Sequence, residues 1–313
     1  MAQRDAFISR LFQLAKKDKD IIFIAVDFGA TALDQWRDEL PDQFIYAGIS
    51  EQNAINVAAG LSASGKKVYV YYMAAWSARC FEQIRYSCAI GDNPITILGN
   101  GVGLGYSPAG PAHNPTEDIA YMQSLCGIEI LSPLTDDVAR DLADLSISSR
   151  CLRYIRFERS YNKDLERFHY SSEDLSAGFK VLKSKLGSSK KVAILSSGYM
   201  LHRALEVANK IENLNVTVID CFRIKPFSKV LIKDHLAKFD YIITLEEQTL
   251  SGGFGSVICS EISDYGIKVS LKKLGLPESY IFENATRDYL IDKNGLSVES
   301  ICEKTKQFLE LVN

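Results

Sequence analysis

Several features that would have named a functional class are missing from this sequence. No run of apolar residues approaches the roughly 18 needed to span a bilayer, and the opening Met-Ala-Gln-Arg-Asp has no apolar core of a secretory signal. Charge of one sign is missing too: 36 basic against 39 acidic side chains leave −3, which gives no electrostatic footprint for nucleic acid or an anionic membrane. The seven cysteines stand singly, an odd number with no CxxC pair, so neither a disulfide framework nor a zinc site is indicated. No internal repeat or low-complexity tract occurs. A cytoplasmic protein with reduced thiols is expected, partnered with neither nucleic acid nor membrane.

What is present is a rhythm. The 313 residues, 47% hydrophobic, suffice for two domains. An amphipathic helix at 5–18 precedes an apolar strand at 21–26. Strands at 44–47, 68–72, 95–98, 128–131 and 152–157 then alternate with helices that start at Glu51, at 117–125 and at 135–149. Apolar strands alternating with helices predict a parallel sheet covered on both faces. Residues 161–191 are charged and weakly periodic and read as a linker. The rhythm restarts with strands at 192–195, 216–219, 241–245 and 267–271 and helices at 200–211, 228–237 and 254–262. The expected fold is α/β, two three-layer α/β/α domains with parallel or mixed sheets, spanning 1–160 and 192–313.

The chemistry concentrates between 44 and 85. A short strand at 44–47 meets a turn at Gly48, and Glu51 opens an Ala-rich helix with Ala54, Val57, Ala58 and Leu61 at helical spacing. A carboxylate there would by itself be read as complementing the helix dipole. After the next strand comes Met73-Ala-Ala-Trp76-Ser-Ala-Arg79-Cys-Phe81-Glu-Gln-Ile-Arg85. This order resembles the pyrimidine-binding domain of thiamine-diphosphate enzymes of the transketolase family, and the second domain resembles the transketolase C-terminal domain. The resemblance implies that Glu51 contacts a ring nitrogen of the cofactor's aminopyrimidine and that Trp76 stacks on that ring. A carboxyl group in reach of that nitrogen favours the imino tautomer through which the cofactor activates itself.

A second cluster lies in Gly99-Asn-Gly-Val-Gly-Leu-Gly105-Tyr-Ser-Pro-Ala-Gly-Pro-Ala-His113-Asn-Pro-Thr-Glu117-Asp118. Its glycines lack the G-x-G-x-x-G spacing that opens a helix, so a dinucleotide site is rejected. The family carries a Gly-x-x-His in this loop, which falls on His113 and implies proton exchange with substrate oxygens. The same resemblance assigns Arg4 and Arg159 to a sugar phosphate, Thr31 to a hydroxyl contact near it, and Asp27 to the cofactor side. Arg153 and Arg156 compete with Arg159 for that role. The Gly-rich turn at 252–255, after Glu246-Glu247-Gln248, is assigned no ligand, because such turns are usually backbone geometry.

Some residues depart from the family pattern. Gly99 stands where transketolases have a His, Ala109 where they have an Asp, and Trp76 where Phe is usual; the loop is two residues longer. Sugar preference is therefore left open. The Gly-Asp-Gly motif with its downstream Asn, which binds Mg²⁺ and the diphosphate, is absent, since Gly91-Asp92-Asn93-Pro94 lacks the second glycine. The resemblance thus implies the β subunit of a split transketolase. It would transfer a two-carbon ketol unit from a ketose to an aldose or sugar-derived acceptor, with thiamine diphosphate and Mg²⁺, and would assemble with an α chain as α2β2. It would hold no metal itself and be inactive alone. Rival readings are the β subunit of a 2-oxo acid dehydrogenase, a 1-deoxyxylulose-5-phosphate synthase fragment and a non-catalytic assembly subunit.

Overall fold

A computed structural model describes residues 2–27, 29–159, 165, 168–187 and 190–311. The first domain runs α1 (Gln3–Ala15), β1 (Ile21–Ala25), α2 (Asp34–Glu39), β2 (Phe44–Tyr46), α3 (Glu51–Ala63), β3 (Lys67–Met73) and α4 (Phe81–Gln83), which continues as a wider turn to residue 90. It goes on with β4 (Thr96–Asn100), α5 (Asp118–Met122), β5 (Glu129–Leu131), α6 (Asp136–Ser148) and β6 (Arg153–Phe157). The second has α7 (Ser172–Ala177), β7 (Lys180–Lys185), β8 (Lys191–Ser196), α8 (Leu201–Lys210), β9 (Asn215–Asp220) and β10 (Arg223–Lys225). Then follow β11 (Tyr241–Thr249), α9 (Phe254–Asp264), β12 (Ser270–Leu276), α10 (Arg287–Ile291) and α11 (Val298–Leu311).

The strands form two sheets, ordered β10-β5-β6-β4-β3-β1-β2 and β12-β11-β8-β9-β7. All pairs are parallel except the β10–β5 and β7–β9 edges, so both sheets are mixed. The strand β1 is buried along its whole length, as an apolar strand covered on both faces must be. On one face α1 and α6 close the core through Phe7, Leu11, Phe12, Leu142 and Phe157. The Thr135 hydroxyl caps α6 by accepting from the Val138 amide at 3.2 Å. Because β10 leaves the second domain to pair with β5, the two domains share a sheet edge.

Several expectations need correction. The stretch 161–191 is not only a connection. Among its described residues it holds α7, with a Ser171–Asp174 capping box, and β7, which starts the second sheet ahead of residue 192. Lys180, Lys183 and Lys185 hide β7 from a periodicity reading, yet lysines suit an exposed sheet edge. Residues 228–237 form two irregular helical turns rather than one helix, and the strand expected at 267–271 is β12, a few residues later. Within α3, Ala54 and Ala58 are buried, but Val57 faces outward at 39% exposure.

Candidate functional site

The parallel strands of the first sheet point their carboxyl ends one way, and the loops that follow β1, β2, β3, β4 and β6 carry every candidate residue except Arg4. Strand β2 ends at Tyr46, Gly48 takes φ +64°, and Ser50 donates its hydroxyl to the Ala47 carbonyl at 2.6 Å before α3 begins. A side chain at 48 would be strained in that conformation. The inner face of α3, built of Ala54, Ile55, Ala58 and Ala59, pulls the helix onto the sheet and takes Glu51 with it. Glu51 is only 4% exposed. Arg79 donates from Nη1 to its Oε2 at 3.1 Å.

Trp76 lies in the helical turn that ends β3, half-buried against the core. Its ring meets the His113 imidazole edge to face, centroids 5.4 Å apart, and the Arg79 guanidinium lies over it at 5.0 Å. So Glu51, Arg79, Trp76 and His113 form one contiguous group. The His113 Nδ1 is buried with no hydrogen-bond partner among the described residues. Cys80 is close by, but burial, reinforced by the Glu51 charge, pushes its thiol up to about 12. It stays protonated and is no nucleophile.

The loop carrying His113 is shaped by what packs into it. Gly101 and Gly103 both take positive φ, and a Cβ on Gly101 would lie 1.9 Å from the Tyr106 ring. Tyr106 therefore folds back across the loop, and its hydroxyl accepts from the Asn100 amide at 2.9 Å. Gly99 has a similar cause: a Cβ there would sit 2.6 Å from the buried Tyr154 ring, so the space that a larger residue would take is already filled.

The three arginines of β6 separate cleanly. Arg153 pairs with Glu129 and Arg156 with Asp118, both fully buried. Arg159, past the strand end, is exposed, with its guanidinium 4.4 Å from the Tyr106 ring centroid. Arg4, at the start of α1, donates to the Tyr71 hydroxyl at 3.3 Å. Burial opposes its charge, but Tyr71 and Asp5 outweigh that and hold its pKa above the ordinary value. Tyr71 and Tyr106 have raised pKa values, chiefly from burial, and stay neutral donors. Arg4, Tyr71, Tyr106 and Arg159 thus form a second group, with two cations framing two phenols.

Asp27 and Thr31 belong to neither group. Asp27 is exposed with φ +41° and accepts from the Tyr46 hydroxyl at 3.1 Å; Thr31 is exposed at the start of a short turn. Sequence reasoning missed Arg79, Tyr71, Tyr106 and Asn100. Only Arg79 left a signal, three residues after Trp76 and so on the same side of a helical turn. Glu246 and Glu247 turn inward to structural work: Glu246 accepts from the Gly255 amide at 2.8 Å and Glu247 pairs with Arg287. Among the described residues no group of three or more His, Cys, Asp or Glu could hold a metal ion, and no helix is long and apolar enough to cross a membrane.

Comparisons with known proteins bear on the family and the fold. The model of the transketolase pyrimidine-binding domain matches residues 1–163, and that of the transketolase C-terminal domain matches 184–301. The chain is 28% identical to one subunit of the apulose-4-phosphate transketolase of Phocaeicola vulgatus, over 99% of this chain and 98% of that one. It is 28% identical to 1-deoxy-D-xylulose-5-phosphate synthase of Aquifex aeolicus, where it spans 48% of the relative's length. Among solved structures, a split-gene transketolase in the form of an inactive β4 tetramer superposes with a TM-score of 0.81 at 26% identity, over 99% of both chains. A transketolase mutant from Pichia stipitis, at 14% identity and TM-score 0.75, shares the fold over 46% of its length. The chain belongs to the transketolase family, as a pyrimidine-binding domain followed by a transketolase C-terminal domain.

Proposed function

We propose that this chain is the β subunit of a split transketolase that transfers a two-carbon ketol unit with thiamine diphosphate and Mg²⁺. A partner chain supplies the diphosphate and metal half, in an α2β2 assembly. The observation that carries this reading is the buried Glu51 carboxylate joined through Arg79 to the Trp76 ring, which in turn meets a His113 whose Nδ1 has no partner among the described residues. A buried carboxylate whose side-chain donor among the described residues is a half-exposed arginine that also covers an aromatic ring fits an aminopyrimidine that offers a nitrogen and a π-face. The full-length match to a single subunit of the apulose-4-phosphate transketolase, and to a split-gene β chain, supports the division of the site.

The residues of this chain then have separate tasks. Glu51 would share a proton with the ring nitrogen, and Trp76 would fix the ring plane. When bound, thiamine diphosphate supplies a nucleophilic carbon and an electron sink for the cleaved carbon–carbon bond. His113 would exchange a proton with the substrate oxygen, its Nδ1 having no hydrogen-bond partner among the described residues. Arg4 and Arg159 would hold an anionic substrate end through charge-assisted hydrogen bonds, with the neutral phenols of Tyr71 and Tyr106 between them. Asp27 and Thr31 would contribute from the β1 loop.

The decisive experiment titrates thiamine diphosphate and Mg²⁺ into this chain with and without the partner subunit, following cofactor binding and ketol transfer from a ketose donor. Binding and transfer only in the mixture, both lost in Glu51→Ala, are expected. Formation of acyl-lipoyl product from a 2-oxo acid, or full transfer by the Glu51→Ala complex, would overturn the reading.

A further inference from the structure

A cleft of about 320 Å³ opens between the loop at 111–117 and the segment after β12. It is lined by Ala75, Asn114, Glu117, Tyr121, Tyr280 and Phe282, and so lies beside the Trp76–His113 pair at the meeting of the two domains. No candidate residue of the site described above lines it.

Its polar lining is unfinished. Asn114 is 5% exposed, and neither its amide oxygen nor its amide nitrogen has a hydrogen-bond partner among the described residues. Buried amides are rarely left so. Ser77 is near the Tyr121 hydroxyl without meeting hydrogen-bond geometry, so that atom also lacks a partner among the described residues. Across the cleft, Tyr280 and Phe282 hold aromatic rings outward, 66% and 78% exposed.

These groups set the ligand's class. No basic residue is among the described residues that line the cleft, and Glu117 would repel a phosphate or carboxylate. A purely apolar ligand would leave the Asn114 amide and the Tyr121 hydroxyl without partners. A neutral polyhydroxylated ring answers both demands. Its C–H faces lie on the aromatic rings, while each hydroxyl donates and accepts as the amide, phenol and carboxylate require. We infer that this cleft is a subsite for the neutral, hydroxyl-bearing ring of a sugar, separate from the Arg4 and Arg159 group. That the ring belongs to the acceptor of the transfer rests on the function proposed above; binding of a neutral sugar here does not.

The test uses the full chain without cofactor, titrated with D-glucose, D-ribose and N-acetyl-D-glucosamine under saturation-transfer difference NMR with irradiation of aromatic protons. Glycerol and inorganic phosphate are the controls. Transfer to ring protons of at least one sugar is expected, with a Kd raised about tenfold, or about 1.4 kcal/mol, in Asn114→Ala and in Phe282→Ala. Phe282 is largely exposed, so its replacement leaves the fold intact, and Asn114→Ala should melt no lower than the wild type because it removes an unbonded buried amide. The inference fails if none of the three sugars shows transfer, if both variants bind as the wild type does, or if phosphate displaces the sugars. Loss of partner assembly in Phe282→Ala, without sugar binding in the wild type, would make the aromatic pair a contact between subunits instead. Sugar binding by a chain whose assembled complex never takes up thiamine diphosphate would sink the proposed function and leave the subsite standing.

Discussion

Replacing Arg287 with methionine should destabilise both domains together. Arg287, in α10, donates to Glu158 Oε2 at 2.6 Å and to Glu247 Oε2 at 2.9 Å, and its guanidinium lies 3.8 Å from the Tyr199 ring centroid. All three charged groups are almost fully buried, and Glu158 belongs to the end of β6 whereas Glu247 belongs to β11. One cation therefore ties two carboxylates from two sheets, and removing it leaves both in a site that water hardly reaches. Loss of one partner from a buried ion pair costs about 3–5 kcal/mol. Arg287→Lys should cost less, about 1–2 kcal/mol, because an ammonium neutralises the carboxylates but cannot fork to both. The assay is urea unfolding followed by two probes. Both tryptophans, Trp36 and Trp76, lie in the first domain, so their fluorescence reports that domain alone, whereas far-UV circular dichroism reports both. Both midpoints should fall in Arg287→Met. A shift in dichroism with unmoved fluorescence would refute the coupling, and a shift below about 1 kcal/mol in both would refute the energetic argument.

Other outcomes follow from the same geometry. Burial pushes the carboxyls of Asp220 and Glu246 up to about 8, from ordinary values near 4. The folded chain thus binds more protons than the unfolded one between about pH 4 and 8, and stability should fall across that window as pH rises, by on the order of a few kcal/mol. Asp220→Asn with Glu246→Gln should flatten the profile of melting temperature against pH; an unchanged slope would show that these groups do not set it. Gly99→Ala should cost about 1–3 kcal/mol by overpacking against Tyr154, which is held by its bond to Asp118 at 2.9 Å. A combined Gly99→Ala and Tyr154→Leu variant should be more stable than the sum of its single changes predicts, as chemical denaturation can measure. Arg79→Met should barely change stability, since Arg79 is half exposed, yet tighten thiamine diphosphate binding by the assembled enzyme about 5- to 30-fold, because about 1–2 kcal/mol of ion-pair and cation–π contact no longer has to be displaced. Weaker binding on calorimetry would mean that Arg79 supports Glu51 rather than covering it.

The first domain was legible because its strands are short apolar runs and its helices keep helical spacing. Ile21–Ala25 and Lys67–Met73 could hardly be anything but covered strands. In the second domain, β7 escaped because a charged edge strand has one solvated side and no apolar alternation. Helix α11 escaped although Ile301, Cys302, Thr305 and Leu309 line its buried face. At the site, sequence motifs named Glu51, Trp76 and His113 but could not tell Arg153, Arg156 and Arg159 apart. That distinction depends on Asp118 and Glu129, whose approach is a property of the folded sheet and not of any local pattern. Tyr106 was invisible for a like reason, as its position is fixed by the missing side chain of Gly101.

Where polar groups are left unpaired also bears on function. The deep ionic contacts pair Arg156 with Asp118 within the first domain and tie Glu158 and Glu247 of the two sheets through Arg287, whose Nη1 keeps no partner among the described residues. In and beside the first domain's loop above β4, Asn100 Oδ1, His113 Nδ1, both amide atoms of Asn114 and the Tyr121 hydroxyl all lack partners among the described residues. Each such atom costs about 1–3 kcal/mol if it stays dry and unbonded, so a fold selected for stability alone would have paired or replaced them. Such atoms also occur elsewhere among the described residues, but the amide of Asn114 and the hydroxyl of Tyr121 share one cleft with two exposed aromatic rings, as a surface completed from outside would have them. Under the function and the subsite proposed above, His113 would serve the reacting centre, and Asn114 and Tyr121 would serve the cleft at the second domain.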